Sequence, residues 1–465
     1  MVTRVPPRIR TAANPESPLM IRSLVRATLA LASVLILAAC NEQAGDPSSQ
    51  YGADPKLPEP HQYLLPPMKV MPARGWNSGE TPLVPAGLRV EALATGFLHP
   101  RIVYPLPNGD VLVVESNGPK APIYRPKDYI EGKIKALSGS AAPGGERISL
   151  LRHQDGGGAP ERSVLIDHLN SPYGVVLVGN DLYVANTDAI LRFPYVAGQT
   201  QITAPGVKLT DLPAQSPNHH WTKALTASPD GSKLYVGVGS NSNITENGIG
   251  AEEGRAAIWE VDRATGMKRI YAGGVRNPTG LAFEPTTGKL WAIANERDEI
   301  GPDLVPDYLT SVQENAFYGW PYSYWGQHVD IRVQPQRPDL VAQAVRPDFG
   351  LGSHVAPLGM VFSQATGLPA QYRSGVFIGE HGSCDRDPPV GHNVVYVPFR
   401  DGRPSGPPQD VVTGFVSDDA KTRGRPVGVA LDRTGALLIA DDVGNIVWRV
   451  SAASPSPSAA ATPSQ

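Results

Sequence analysis

The stretch GGVRNPTGLAFEPTTGKLWAIANERDEIG, Gly273 to Gly301, decides the fold. An Arg-Asn pair and a Pro-x-Gly turn lead into LAFEP, a glycine turn follows, and KLWAIA runs into the polar loop NERDEIG. Apolar residues alternating with period two around a glycine turn read as a β-hairpin with one face buried. Arg276 and Asn277 then stand just before one strand, and Asn295 to Asp298 just after the next.

The same phrase recurs at HPRIVYPLPNGDVLVVES from His99, NSPYGVVLVGNDLYVANT from Asn170 and HHWTKALTASPDGSKLYVGVGS from His219. Two further copies follow, HVAPLGMVFSQATGLPAQYRSGVFIGE from His354 and RGRPVGVALDRTGALLIADD from Arg423. Each has a polar or basic residue, a turn, an apolar strand, a glycine turn and a second apolar strand. These second strands begin near Leu112, Leu182, Leu234, Leu290, Val376 and Leu437, at unequal spacings. Six unequal copies of a strand-turn-strand unit predict an all-β, six-bladed β-propeller with long inter-blade loops.

In a propeller the residues at the entrances of the inner strands converge on one end of a central channel. Here they are Arg101, Asn170, His220, Arg276 with Asn277, His354, and Arg423 with Arg425. So many cationic groups aimed at one spot repel one another unless an anion joins them. The pattern points to a polyanionic ligand, against the plainer alternative that each side chain pairs with a local carboxylate.

At 465 residues, with 41% apolar and 7% aromatic residues, the chain suits one large folded domain, and 48 Gly with 47 Pro favour turns over long helices. The net charge of −3 gives no reason to expect a nucleic-acid partner. Arg22 and Arg26 precede an apolar run from Ala27 to Ala39, ending in Leu37-Ala38-Ala39-Cys40. This reads as a signal peptide over 1–40, too short for a stable spanning helix. LAAC resembles the bacterial lipobox, which implies that Cys40 is acylated and that the chain is a periplasm-facing lipoprotein anchored by lipid alone. Met20 makes a more typical signal start than Met1, and Asn41 after the cysteine resembles the outer-membrane sorting pattern. The other cysteine is Cys384, and with no C-x-x-C-H motif the chain carries no c-type haem.

Residues 41–85 read as a Pro-rich tether and lead-in, 86–450 as the propeller, with its first blade beginning near Leu88, and 451–465 as a low-complexity disordered tail. Two long excursions interrupt the blades. Residues 118–165 read as a Gly-rich surface or rim loop. Residues 299–350 carry Tyr318, Trp320, Tyr322, Tyr324 and Trp325, which suit either a sugar-stacking wall or plain packing of the loop.

RNPTGLAF, NERDEIGPDLVPDYLT, FYGWPY, HVAPLGM, GEHGSCDR and RGRPVGVA together resemble the sorbosone dehydrogenase branch of the pyrroloquinoline-quinone (PQQ) sugar dehydrogenases, relatives of soluble quinoprotein glucose dehydrogenase. The resemblance covers roughly 85–450. It implies a quinone over the channel, a calcium ion, and oxidation of an aldose or related sugar alcohol or aldehyde, with electrons passed to an external acceptor. By this resemblance Arg276, Asn277, Arg423, Arg425 and Arg386 contact the cofactor, with Arg101 and His354 added from repeat position. Arginine forks suit the carboxylates of such a quinone. His220 takes the position of the family's base, with His219 as the alternative imidazole. Glu296 and Arg297 stand where relatives offer backbone carbonyls to calcium, although the Gly-Pro of those relatives is absent. Cys384 and Asp385 replace the usual residues after HGS, and Asn315-Ala316-Phe317 the small residues before YGWP, which puts the sugar in question more than the cofactor. Two other readings fit a propeller: a calcium-dependent lactonase, which needs a carboxylate-rich channel, and a non-catalytic surface binding module.

Overall fold

The computed structural model describes residues 44–62, 69–120, 122–154, 158–383 and 385–453. Cys40, Cys384 and the tail beyond 453 lie outside them. The chain is 6% helical and forms six blades arranged as a β-propeller. Blade 1 is built from Pro100–Pro105, Val111–Glu115, Arg147–Arg152 and Glu161–Ile166, and blade 2 from Gly174–Val178, Asp181–Ala185, Ala189–Pro194 and Val207–Asp211. Blade 3 is Leu225–Ala227, Lys233–Val238, Ala257–Asp262 and Lys268–Gly273, and blade 4 is Pro278–Phe283, Leu290–Ala294, Pro306–Ser311 and Phe349–Ser353. Blade 5 comprises Pro357–Phe362, Gly375–Glu380, Asn393–Arg400 and Gln409–Val412.

Blade 6 is Pro426–Leu431, Leu437–Asp441 and Ile446–Ala452, completed by Leu88–Thr95 from the start of the chain, with Val90 opposite Val450. Leu88 therefore opens the outer strand of the last blade, where the sequence suggested the start of the first. Closing the ring with a strand from the other end of the chain removes an open sheet edge and ties both ends into one blade.

The hairpin of blade 4 forms in the expected register, with Leu281 opposite Ala292 and Phe283 opposite Leu290. Its burial is not one-sided. Leu290, Ala292 and Ala294 pack with Tyr235, Ile258 and Ala272 of blade 3, whereas Trp291 and Ile293 pack with Val376, Ile378 and Val397 of blade 5. The alternation divides side chains between two inter-blade interfaces, which is why both phases are apolar. Each fully buried large side chain there contributes about 1.5–3 kcal/mol.

The lead-in is also less of a tether than its composition suggests. Tyr51–Gly52 adds a fifth strand to blade 4, Gly45 N–H donates to Asp303 at 2.7 Å, and buried Gln50 accepts from Ser353 N–H at 2.8 Å. The Gly-rich excursion of blade 1 contains a helix, Pro126–Leu137. Pro126 fits its first turn, Asp128 accepts from the Arg125 and Tyr124 N–H groups at 2.8 and 2.9 Å, and Lys135 lies in its last turn. In the blade 4 excursion Tyr318, Trp320, Tyr324 and Trp325 are buried and only Tyr322 is partly exposed. Packing, rather than a sugar-stacking wall, explains four of these five aromatics.

Candidate active site at the channel mouth

Inner strands start at the same end of the ring, and the loops between second and third strands return to it. The mouth of the channel is therefore assembled from both sets. Two buried or half-buried carboxylates organise it.

The first is Asp442, fully buried in the turn after Leu437–Asp441 of blade 6. It accepts from Arg101 of blade 1, and His381 Nε2 lies 3.0 Å away. His99 Nδ1 is 3.6 Å from it. Arg425 sits alongside, 3.4 Å from His381 Nδ1, 3.3 Å from His392 Nε2 and 3.2 Å from the Ser140 hydroxyl. Burial pushes the His99 and His381 imidazoles down to about 4, and the neighbouring guanidiniums of Arg101 and Arg425 add to this against the pull of Asp442. Burial alone would raise the Asp442 carboxyl, but His381, His99 and Arg101 hold it well below the ordinary range. The Arg101 guanidinium also lies over Tyr173 and Trp221, 5.8 and 5.7 Å from the ring centroids. Its buried Nε has no hydrogen-bond partner among the described residues.

The second carboxylate is Asp298, in the loop after Leu290–Ala294 of blade 4. Arg276 Nη2 lies 3.2 Å from it, and His354 Nδ1 3.3 Å. The Arg276 guanidinium also donates to Asn243 O at 3.2 Å, to Asn243 Oδ1 at 2.8 Å and to the Glu296 carbonyl. His354 Nε2 lies 3.1 Å from the Gly301 carbonyl, so both of its nitrogens face acceptors. Burial lowers this imidazole, but the hydrogen bond and charge of Asp298 prevail and lift it to about 9. Asp298, His354 and Asp385 are spaced closely enough to hold a metal. His354 pairs with Asp298 through Nδ1 and faces the Gly301 carbonyl through Nε2.

His220 enters from the mouth side of blade 3. Its Nδ1 faces the Ser240 hydroxyl at 2.8 Å and the Ser240 carbonyl at 3.1 Å. Burial, then Arg276 and His219, push its imidazole well below the usual value, so it is neutral at neutral pH. The adjacent His219 is exposed and meets it edge to face, with centroids 4.7 Å apart. Gly239 makes room: a Cβ there would come within 2.5 Å of both His220 Cβ and Asn277 Oδ1. Asn277 Oδ1 is buried and unpartnered among the described residues. The helix-bearing excursion of blade 1 reaches this mouth as well, through Ser140 on Arg425 and Gly118 packed on Trp221.

The mouth thus gathers His220, Arg276, Asn277, His354, Arg101 and Arg425, as their repeat positions required. Arg423 and Arg386 lie elsewhere, and the Arg297 side chain is turned away from the channel. Arg423 donates to the Gly414 and Val416 carbonyls at 2.9 and 3.2 Å and lies over Trp76, away from the cluster. Arg386 is spent on Asp303, the Pro302 carbonyl at 2.9 Å and the Gly45 carbonyl at 2.6 Å, so it clamps the lead-in rather than facing the channel. Arg297 is wholly buried against Glu296, Asp330 and the Pro321 and Ser323 carbonyls, where it anchors the aromatic excursion. The Glu296 carbonyl accepts from Arg276. Sequence reading missed Asp442, His99, His381, His392 and Asn243. Asn243 receives Arg276 twice, takes the Asp298 N–H at 2.9 Å and accepts Trp320 Nε1 at 3.0 Å, yet the only signal was its place in the loop GSNSN.

A six-bladed propeller with a cation-rich mouth and a neutral histidine is the architecture of a channel-mouth binding or catalytic protein. The TrAA12-like family matches residues 148–321 and 333–453, more than half of the chain, and the chain belongs to that family. An uncharacterized protein of Borreliella burgdorferi is 26% identical over 292 residues, covering 61% of this chain and 76% of that protein. The Escherichia coli aldose sugar dehydrogenase YliI is 31% identical over 111 residues, 24% of this chain and 28% of that enzyme. Among solved structures, the holo PQQ domain of pyranose dehydrogenase from Coprinopsis cinerea aligns with a TM-score of 0.65 at 20% identity, covering 81% of this chain and 98% of that one. A Trichoderma reesei AA12 enzyme aligns with a TM-score of 0.65 at 19% identity, covering 82% and 98%. At these identities the structural likeness concerns the fold.

Proposed function

We propose that this chain is a PQQ-dependent dehydrogenase that oxidises an aldose or related sugar alcohol or aldehyde and passes the electrons to an external acceptor. One observation carries the reading. Arg101, His381 and His99 share the Asp442 carboxylate, the Arg425 guanidinium lies against His381 and His392, and Arg101 Nε is buried without a hydrogen-bond partner among the described residues. Burying cationic groups beside so little negative charge is costly, and a ligand with several carboxylates offsets that cost. The donors present fit the three carboxylates of the quinone, with Arg101 and Arg425 as forks and His381 and His99 beside them. Asn277, buried with a free acceptor oxygen, sits on the His220 side of the same mouth. The quinone, when bound, supplies the electrophile that takes hydride from the sugar carbon. His220, neutral and half-buried, takes the hydroxyl proton on the nitrogen turned away from Ser240. His219, exposed, lies against its ring. Calcium would be held by the backbone carbonyls of Glu296 and Arg297, the former also accepting from Arg276. No step is assigned to it.

Quinone-free protein titrated with PQQ and assayed by dye-linked oxidation of a sugar panel tests the reading, with calcium as a separate variable. Full activity without quinone, with none found by mass spectrometry, overturns it. The address belongs to the same proposal: a lipoprotein held on the periplasmic side through acylated Cys40. Its support is the LAAC sequence after the apolar run. Cys40→Ala is expected to move the protein from the membrane to the soluble fraction, and retention after mild washing refutes the anchor.

A further inference from the structure

We infer that Ser240 fixes the proton of His220 on Nδ1 and so leaves the lone pair on Nε2, making Ser240 the positioning residue for the base. The Ser240 hydroxyl lies 2.6 Å from the Ser242 carbonyl, which can only accept, so the hydroxyl proton points there. Its oxygen is then an acceptor toward His220 Nδ1 at 2.8 Å. The second partner of Nδ1, the Ser240 carbonyl at 3.1 Å, is also only an acceptor. Two acceptors facing one nitrogen require an N–H, and a neutral imidazole carries only one. The remaining nitrogen, Nε2, must be the basic one.

The loop that imposes this is itself held. Glu252 accepts from the Asn241 N–H and from the Ser242 hydroxyl, both at 2.6 Å, and Asn243 is tied to Arg276 and Trp320. The Ser242 carbonyl therefore has a fixed address, and through it the Ser240 hydroxyl has a fixed direction. Without such a relay a serine hydroxyl rotates and serves either tautomer.

This inference rests on the proposed role of His220 as base, and the experiment separates the two. Protein labelled with ¹⁵N-histidine, with the His220 signal among ten histidines assigned by difference from His220→Gln, reports which ring nitrogen is protonated. The expected wild-type spectrum shows Nδ1–H and an unprotonated Nε2 at neutral pH. In Ser240→Ala the carbonyl at 3.1 Å still favours Nδ1–H, but with the closer hydroxyl at 2.8 Å gone an Nε2–H fraction is expected to appear, and Ser240→Thr, which keeps the hydroxyl, is expected to restore the wild-type form. An Nε2–H tautomer in the wild type overturns the inference, and so does a Ser240→Ala spectrum identical to the wild type. Single-turnover quinone reduction in Ser240→Ala is expected to slow roughly threefold to tenfold, the equivalent of one hydrogen bond, with KM for sugar unchanged. A tautomer that moves as expected with no change in this rate leaves Ser240's role intact and removes His220 from the chemistry.

Discussion

Asp442 and Asp298 stand at the same mouth, and their surroundings differ. Asp298 is half exposed, and the arginine beside it, Arg276, is satisfied by carbonyls and Asn243 as well as by the carboxylate. Asp442 is wholly buried and shared among Arg101, His381 and His99, while Arg425 next to it faces two imidazoles and a serine hydroxyl. A channel lined by arginines says little by itself. What distinguishes a scaffold arginine from a ligand arginine is whether the protein already provides its acceptors. On the Asp298 side the protein supplies Arg276 with acceptors, whereas on the Asp442 side Arg101 Nε is buried without one among the described residues.

Four measurements bear on that contrast. The largest effect belongs to the proposed base, His220, between the two centres. His220→Ala is expected to lower single-turnover quinone reduction by about 10²–10⁴-fold while quinone affinity changes little, since the cations are intact. A dead His219→Ala beside a fast His220→Ala moves the role one residue back.

Next is Asp442→Asn. It leaves Arg101 buried without its counter-charge, and a loss of about 3–5 kcal/mol is expected in urea unfolding of the quinone-free protein. A loss near zero means that the cluster is wetter and less strained than its burial indicates.

The third pair of variants separates ligand arginine from scaffold arginine within one tripeptide. Arg425→Ala is expected to weaken PQQ roughly ten- to a hundredfold, because a charge-assisted bond to a carboxylate contributes about 1.5–3 kcal/mol. Arg423→Ala is expected to leave that affinity unchanged, since its guanidinium serves Gly414 and Val416. Equal losses in equilibrium titrations erase the distinction.

The smallest effect is the pH response of the Asp298 joint. The imidazole of His354 is raised in the folded state, from 6.5 to about 9, so it contributes stability that is complete below about pH 6.5 and fades as pH rises through about 9. The urea midpoint of the wild type should therefore exceed that of His354→Gln most at pH 6, with the gap closing toward pH 9 and beyond. A gap that grows with pH reverses the sign and breaks the ion-pair assignment.

The chain by itself determined the repeat. Period-two alternation around glycine turns specifies hairpins locally, and six copies specify a ring, so the second strands at Leu112, Leu182, Leu234, Leu290, Val376 and Leu437 were legible. The convergence of Arg101, His220, Arg276, His354 and Arg425 followed, because position in a repeat fixes position around a channel. The tertiary structure alone decided that Leu88–Thr95 closes blade 6, since pairing between chain ends leaves no local pattern. It also decided which arginines face the channel mouth. Arg423 and Arg425 are two residues apart and read alike, yet one meets Trp76 and backbone carbonyls and the other meets His381 and His392. The direction of a side chain depends on acceptors brought from distant blades, and those are set by packing rather than by neighbours in the chain.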